Sequence, residues 1–140
     1  MTLARLDHVA IEVVDLDYYI EQLVATGGMK LLRRSTAKRT GTRMAMIGDP
    51  TGMKLELIEN KDAAGTVPRF LHVAFRSADA DAAARSLADN GWKWERGPID
   101  LEEAQARSVL LSNHEGFELQ VLTYRPTSPD IVEWSDDKTG

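Results

Sequence analysis

The chain repeats itself, and the repeat limits the folds open to it more than any other feature. His8-Val9-Ala10 returns as His72-Val73-Ala74, an offset of 64 residues. At an offset of 63, Gly28 to Arg33 falls on Gly91 to Arg96, and at 64 again Arg43 to Ile47 falls on Arg107 to Leu111. The turns Asp49-Pro50-Thr51-Gly52 and Asn113-His114-Glu115-Gly116 follow, each with an acid or amide first and glycine fourth, as a type I turn prefers. Matching Glu56 to Glu118 takes an offset of 62, which predicts a second hairpin two residues shorter. Because strand side chains alternate with period 2, that deletion keeps both glutamates on equivalent faces.

Each copy reads as strand, helix, then three strands, so the fold class is α+β with two tandem βαβββ modules, about 4–60 and 68–124. In Asp7 to Val13, Val9, Ile11 and Val13 share one face while His8, Ala10 and Glu12 share the other. Asp15 or Asp17 caps a helix reaching about Ala25, and Gly27 or Gly28 ends it; Ser77 or Asp79 starts a second helix that stops at Asn90-Gly91. The expected organisation is a single domain, 1–126, joined through its 60–68 linker and followed by a polar tail, 127–140. That tail is either mobile or a strap anchored by Ile131, Val132 and Trp134.

Composition removes several classes of function. With 140 residues, 43% of them hydrophobic, the chain can bury one core. It has no cysteine, which excludes disulfides and thiolate metal sites and fits a reducing, cytoplasmic setting. No segment approaches the roughly 18 apolar residues of a membrane span, and no signal-peptide run opens the chain. A net charge of −5 argues against nucleic acid as a general partner.

Four polar residues then stand out: His8, Glu56, His72 and Glu118, each in a strand whose alternate positions are apolar. All four are expected to point away from the helices and to share one face. Carboxylates on a partly dry face are costly and repel each other. One divalent cation resolves both difficulties, because two imidazoles and two carboxylates neutralise it and leave two positions of a six-coordinate ion for substrate oxygens. Ni, Co, Zn and Mn all suit such donors.

The stretches LDHVAIEVVDLD, GGMKLLRR, GDPTGMKLELIENKDA, LHVAFRS and GFELQV resemble the vicinal-oxygen-chelate superfamily, which includes glyoxalase I, methylmalonyl-CoA epimerase, extradiol dioxygenases and antibiotic-resistance proteins. The resemblance covers about residues 4–124. It implies a curved, barrel-like mixed sheet around a metal site, the ligand set His8, Glu56, His72 and Glu118, and a homodimer. It also implies a glyoxalase I-like lyase or isomerase, which removes the α-proton of a carbonyl substrate carrying two adjacent oxygens. By the same resemblance Glu118 is the first choice of base and Glu56 the second.

Alternatives stay open at this point. An epimerase of an acyl-CoA or keto sugar would use the same ligands, although the extra carboxylate that the resemblance implies before the third strand is missing from Ala37 to Arg43. An extradiol-type dioxygenase needs only three protein ligands, and a metal-free binding or resistance protein needs none. Glu12 is a spare candidate base. The basic run Arg33, Arg34, Lys38, Arg39 and Arg43 is either a clamp for an anionic substrate tail or a solvated loop, with Arg43 and its repeat partner Arg107 the substrate-binding candidates. Trp92 and Trp94 read as packing residues more than pocket lining, and His114 as an exposed turn residue.

Overall fold

The alternation in β1 (Arg5–Val13) becomes a pleat with Ile11 and Val13 on the side of the first helix and His8 on the other. The computed structural model describes residues 5–63, 65, 66 and 68–132. Those residues cluster into two units, one of 5–8 with 72–128 and the other of 9–71 with 129–132. The strands β1, β2 (Lys30–Thr36), β3 (Arg43–Gly48), β4 (Lys54–Glu59), β5 (Arg69–Arg76), β6 (Lys93–Leu101), β7 (Ala106–Ser112) and β8 (Glu118–Tyr124) are hydrogen-bonded in the order β2-β3-β4-β1-β5-β8-β7-β6, making a mixed α+β fold with the repeated βαβββ order.

In the unit built on 9–71, Asp15 is the residue that caps α1 (Leu16–Ile20), accepting from the Tyr18 N–H at 3.2 Å. The N–H of Leu16 is satisfied by the Glu59 carboxylate at 2.9 Å, which pins the helix start to β4. The expected helix then widens into a π-helical segment, Glu21–Thr26, a departure from plain α-helix. Its closing N–H, on Gly27, reaches back to the Gln22 carbonyl at 2.9 Å. A Cβ at Gly27 would lie 2.7 Å from the Leu23 carbonyl oxygen, so the wide turn depends on glycine there. β2 (Lys30–Thr36), β3 (Arg43–Gly48) and β4 (Lys54–Glu59) form an antiparallel set. Leu16, Ala45, Ile47 and Leu57 fill the space under the helix, each large aliphatic chain worth about 1.5–3 kcal/mol of transfer.

The other unit follows the same plan. β5 (Arg69–Arg76) leads to α2 (Ala80–Asp89), whose N-cap Asp79 accepts from the Ala82 N–H at 3.1 Å. Its alanine-rich inner face packs on Val109, Leu111, Leu119 and Val121 of β7 (Ala106–Ser112) and β8 (Glu118–Tyr124), with Trp92 and Trp94 at the margin. β6 (Lys93–Leu101) pairs antiparallel with β7, and β5 pairs parallel with β8.

The hairpin registers correct one expectation. Gly52 N–H bonds the Asp49 carbonyl at 3.2 Å and Gly116 N–H bonds the Asn113 carbonyl at 3.0 Å, so both turns close in the same way. Each hairpin then resumes on a matching pair, Asp49 N–H to Met53 and Asn113 N–H to Phe117. The second hairpin is therefore not two residues shorter. Glu56 lies opposite Met46, and the residue in that register of the second copy is Gln120, opposite Leu110. Glu118 stands one pleat nearer the turn, opposite Ser112. Residues two apart share a face, which is why the hydrophobic pattern alone does not separate Glu118 from Gln120.

The segment after Ser128 is a strap as far as it is described. Ile131 and Val132 are half-buried, but its main anchor is Asp130, which has no exposed surface. Trp134 lies outside the described residues.

Candidate functional site

Among residues of the unit built on 72–128, His8 and His72 come together, their rings 6.0 Å apart between centroids and inclined at 68°. His8 is buried, and His72 is half-buried. In β5 the residue beside Ala74 on the helix side is Phe75, which packs on α2, whereas Ala74 packs with Leu122 and Ala106 on the opposite face. His72 alternates with Ala74 and so occupies that opposite face, as expected.

A residue that the repeat does not mark orients His8. The Asp7 carboxylate accepts from His8 Nδ1 at 2.7 Å and from the Tyr124 hydroxyl at 2.6 Å. With Nδ1 as donor, a neutral His8 carries its lone pair on Nε2, the tautomer a metal ligand needs. Asp7 was legible only as the neighbour of a histidine. Its partner Tyr124 is 117 residues away in sequence, and no local pattern connects them.

β8 offers two side chains on this face. Glu118 is half-buried and lines a cleft of about 370 Å³ with Glu95, Arg96, Leu110, Ser112 and Gly116. Gln120 donates its amide N–H to Ser108 Oγ at 2.8 Å, which orients the amide and leaves its carbonyl oxygen as a hard donor.

In the other unit, Leu55 and Leu57 face α1, so Glu56 faces the opposite way. Its carboxylate accepts from Arg33 Nη2 at 3.1 Å. Arg33 is itself buried, with Nε and Nη2 on the Asp130 carboxylate at 2.9 Å and Nη1 on Ser35 Oγ at 2.5 Å. Burial opposes the Arg33 charge, but the Asp130 hydrogen bonds and charge, with Glu56 behind them, hold its pKa above the ordinary value. Lys54 donates to the Asp130 backbone carbonyl.

The expected basic cluster is therefore not one surface. Arg33 is inside, Arg34 and Arg43 both reach Asp17, and Arg43 also lies 3.5 Å from Glu59. Arg107 makes the equivalent link, to Asp81 of α2 at 2.8 and 2.9 Å. Glu12, the spare candidate base, accepts from Arg69 at 3.0 Å. Trp94 donates to the Gly97 carbonyl at 2.9 Å while packing on the α2 core, and His114 is exposed at its turn. Among the described residues no helix is long and apolar enough to cross a membrane.

Known proteins share this fold. A methylmalonyl-CoA epimerase solved in complex with methylmalonyl-CoA and NH4+ is similar at 25% identity and a TM-score of 0.76, over 91% of this chain and 99% of that one. A single-site variant of the Streptomyces coelicolor methylmalonyl-CoA epimerase, bound to 2-nitronate-propionyl-CoA, gives 25% identity and 0.75 over the same shares. The Mycobacterium tuberculosis methylmalonyl-CoA epimerase, at 24% identity and a TM-score of 0.77, covers 89% of this chain and 90% of its own and shares the fold. No curated protein sequence matches the chain. The family profile described as Glyoxalase/Bleomycin resistance protein/Dioxygenase superfamily matches residues 7–110, more than half of the sequence, and the chain belongs to that superfamily.

Proposed function

We propose that the protein is a divalent-metal-dependent isomerase that moves a proton at the α-carbon of a carbonyl substrate with two adjacent oxygens, acting as an epimerase of an acyl thioester. The observation that carries this reading is the Asp7-oriented His8 beside His72, two imidazoles on the face turned from the helices. In this reading His8 and His72 are ligands to one ion, Glu56 is the carboxylate ligand proposed from the other copy, and Ni, Co, Zn or Mn suits such donors. When bound, the ion supplies Lewis acidity, stabilising negative charge that develops on substrate oxygen.

The fourth donor comes from β8. Glu118 is the choice by matching glutamate to glutamate; Gln120 is the choice by register, holding the place of Glu56. With Gln120 as the donor, Glu118 is a carboxylate free of the ion, better suited to act as base than a ligated one. Glu118 takes the α-proton in this reading, and Glu56, held by Arg33, is the second candidate. Arg43 and Arg107 are the positions proposed to meet an anionic substrate tail, exchanging partners with Asp17 and Asp81. Epimerisation is favoured over glyoxalase I-like isomerisation by the likeness to methylmalonyl-CoA epimerases over 91% of the chain. The lack of any acid between Ala37 and Arg43 keeps the glyoxalase I-like lyase as the second reading.

The test is hydrogen–deuterium exchange at the α-carbon, followed by NMR, with methylmalonyl-CoA, the hemithioacetal of methylglyoxal and glutathione, and a keto sugar phosphate. Exchange with the thioester alone supports the epimerase, and exchange with the hemithioacetal alone moves the assignment to the lyase. His8→Ala abolishes exchange in either case. Glu118→Gln lowers it by about 10²–10⁴-fold, the usual contribution of a positioned base. If that variant keeps its metal while Gln120→Ala loses it, Gln120 is the ligand; the reverse pattern restores Glu118. Undiminished exchange in His8→Ala contradicts the proposal.

A further inference from the structure

Arg33, Met46 and Glu56 lie in one row across three adjacent strands, and the second copy has the matching row Arg96, Leu110 and Gln120. Both arginines follow a register shift in their strand, so the rows correspond residue for residue. Their surroundings differ in a definite way. In the row that ends in a carboxylate, the arginine is buried and gripped by a fully buried aspartate from the 129–132 segment. In the row that ends in a neutral amide, the arginine is exposed.

A guanidinium touching a metal-binding carboxylate has two opposed effects. It holds the carboxylate in place, here through Oε2, which fixes the direction in which Oε1 is offered. It also places a positive charge beside the site, which opposes a cation. Asp130 bears on both effects. Its fork of bonds fixes the guanidinium so that Nη2 is directed at Glu56, and its charge offsets that of Arg33. Ser35 takes Nη1, and Lys54 ties down the Asp130 backbone, so the fork has one arrangement.

We infer that Asp130 is a positioning residue for the metal site: through Arg33 it holds Glu56 as a one-oxygen ligand and cancels the arginine charge that would otherwise weaken ion binding. The inference rests on the proposed metal-dependent function. The seated 129–132 segment thereby becomes a working part of the site, and losing the Asp130 charge matters more than losing the Arg33–Asp130 pair as a whole.

The experiment measures Co2+ and Zn2+ affinity by competition with a chromophoric chelator, alongside melting temperature, for the parent, Asp130→Asn, Arg33→Met and the double variant. Asp130→Asn weakens the ion by about tenfold or more, because it leaves the Arg33 charge uncompensated beside Glu56. The double variant, which has neither charge, returns to within about threefold of the parent although it lacks the whole brace. A purely structural role for the strap predicts the opposite order, with the double variant binding no better than Asp130→Asn. Parent-like affinity in Asp130→Asn, or no recovery in the double variant, overturns the inference while leaving the metal site standing. A parent that binds neither ion overturns the functional reading, and this inference with it.

Discussion

Changing Asp7 to asparagine tests the construction of the site with little change in shape. Asp7 is 6% exposed, and its carboxylate receives two hydrogen bonds on one oxygen, from His8 Nδ1 and the Tyr124 hydroxyl. An amide of the same size offers one neutral oxygen in place of a charged one, and its NH2 cannot accept from either partner. Losing a hydrogen bond to a charged group costs about 1.5–3 kcal/mol, so the metal-free protein should be destabilised by that order. The greater effect falls on the ion. Removing the carboxylate partner of a ligating histidine reduces affinity about 10–100-fold, equivalent to about 1.4–2.7 kcal/mol. Competition with a chromophoric chelator measures the affinity, and chemical denaturation measures the stability on the same preparations. Tyr124→Phe leaves the Asp7–His8 bond in place and is expected to lose less affinity than Asp7→Asn. If Asp7→Asn binds the ion as the parent does, His8 is not oriented by Asp7 and the reasoning fails.

Two further outcomes concern the framework. Gly97 has φ 100°, and a Cβ there would sit 2.5 Å from the Ser108 carbonyl oxygen, so Gly97→Ala should lower stability by more than about 1 kcal/mol; an unchanged denaturation midpoint contradicts that packing. Hydrogen bonds from Arg43 and from Arg107 hold Asp17 and Asp81 below their ordinary pKa of 3.8. The unfolded chain binds these protons at a higher pH than the folded one, so the contribution is present above the ordinary pKa and is lost as pH falls through the depressed values. Melting temperature should therefore fall on the acid side of about pH 4, less steeply in Arg107→Gln and in high salt, because both pairs are exposed.

Much of this architecture was legible because duplication displays each constraint twice. The order of elements, the caps narrowed to Asp15 or Asp17 and to Ser77 or Asp79, of which Asp15 and Asp79 serve, and the face of His8 and His72 follow from alternation and turn chemistry, which act over a few residues. The donor proposed on β8 was less legible. Glutamate was matched to glutamate, yet the hydrogen bonds that close the turns put Gln120, not Glu118, in the register of Glu56. A face pattern of period 2 accepts either residue. The brace on Glu56 was not legible at all: Asp130 lies 97 residues from Arg33, in a polar stretch that looks like any tail. The same fact explains the basic run, whose charge suggested a clamp for an anion. Arg33 is buried against acids supplied from distant segments, and Arg34 and Arg43 share Asp17.

In the proposed function an ion held by the paired histidines supports proton transfer at a carbon next to a carbonyl. It is tested in a single preparation in which metal content is measured by elemental mass spectrometry and α-proton exchange is followed in D2O with methylmalonyl-CoA, the hemithioacetal and the keto sugar phosphate, before and after chelation. The expected result is close to one equivalent of a divalent ion per chain, exchange that stops on chelation, and recovery when the ion is restored. Exchange that persists in metal-free protein, or a reconstituted protein that holds its ion and exchanges no proton with any of the three substrate classes, would contradict it.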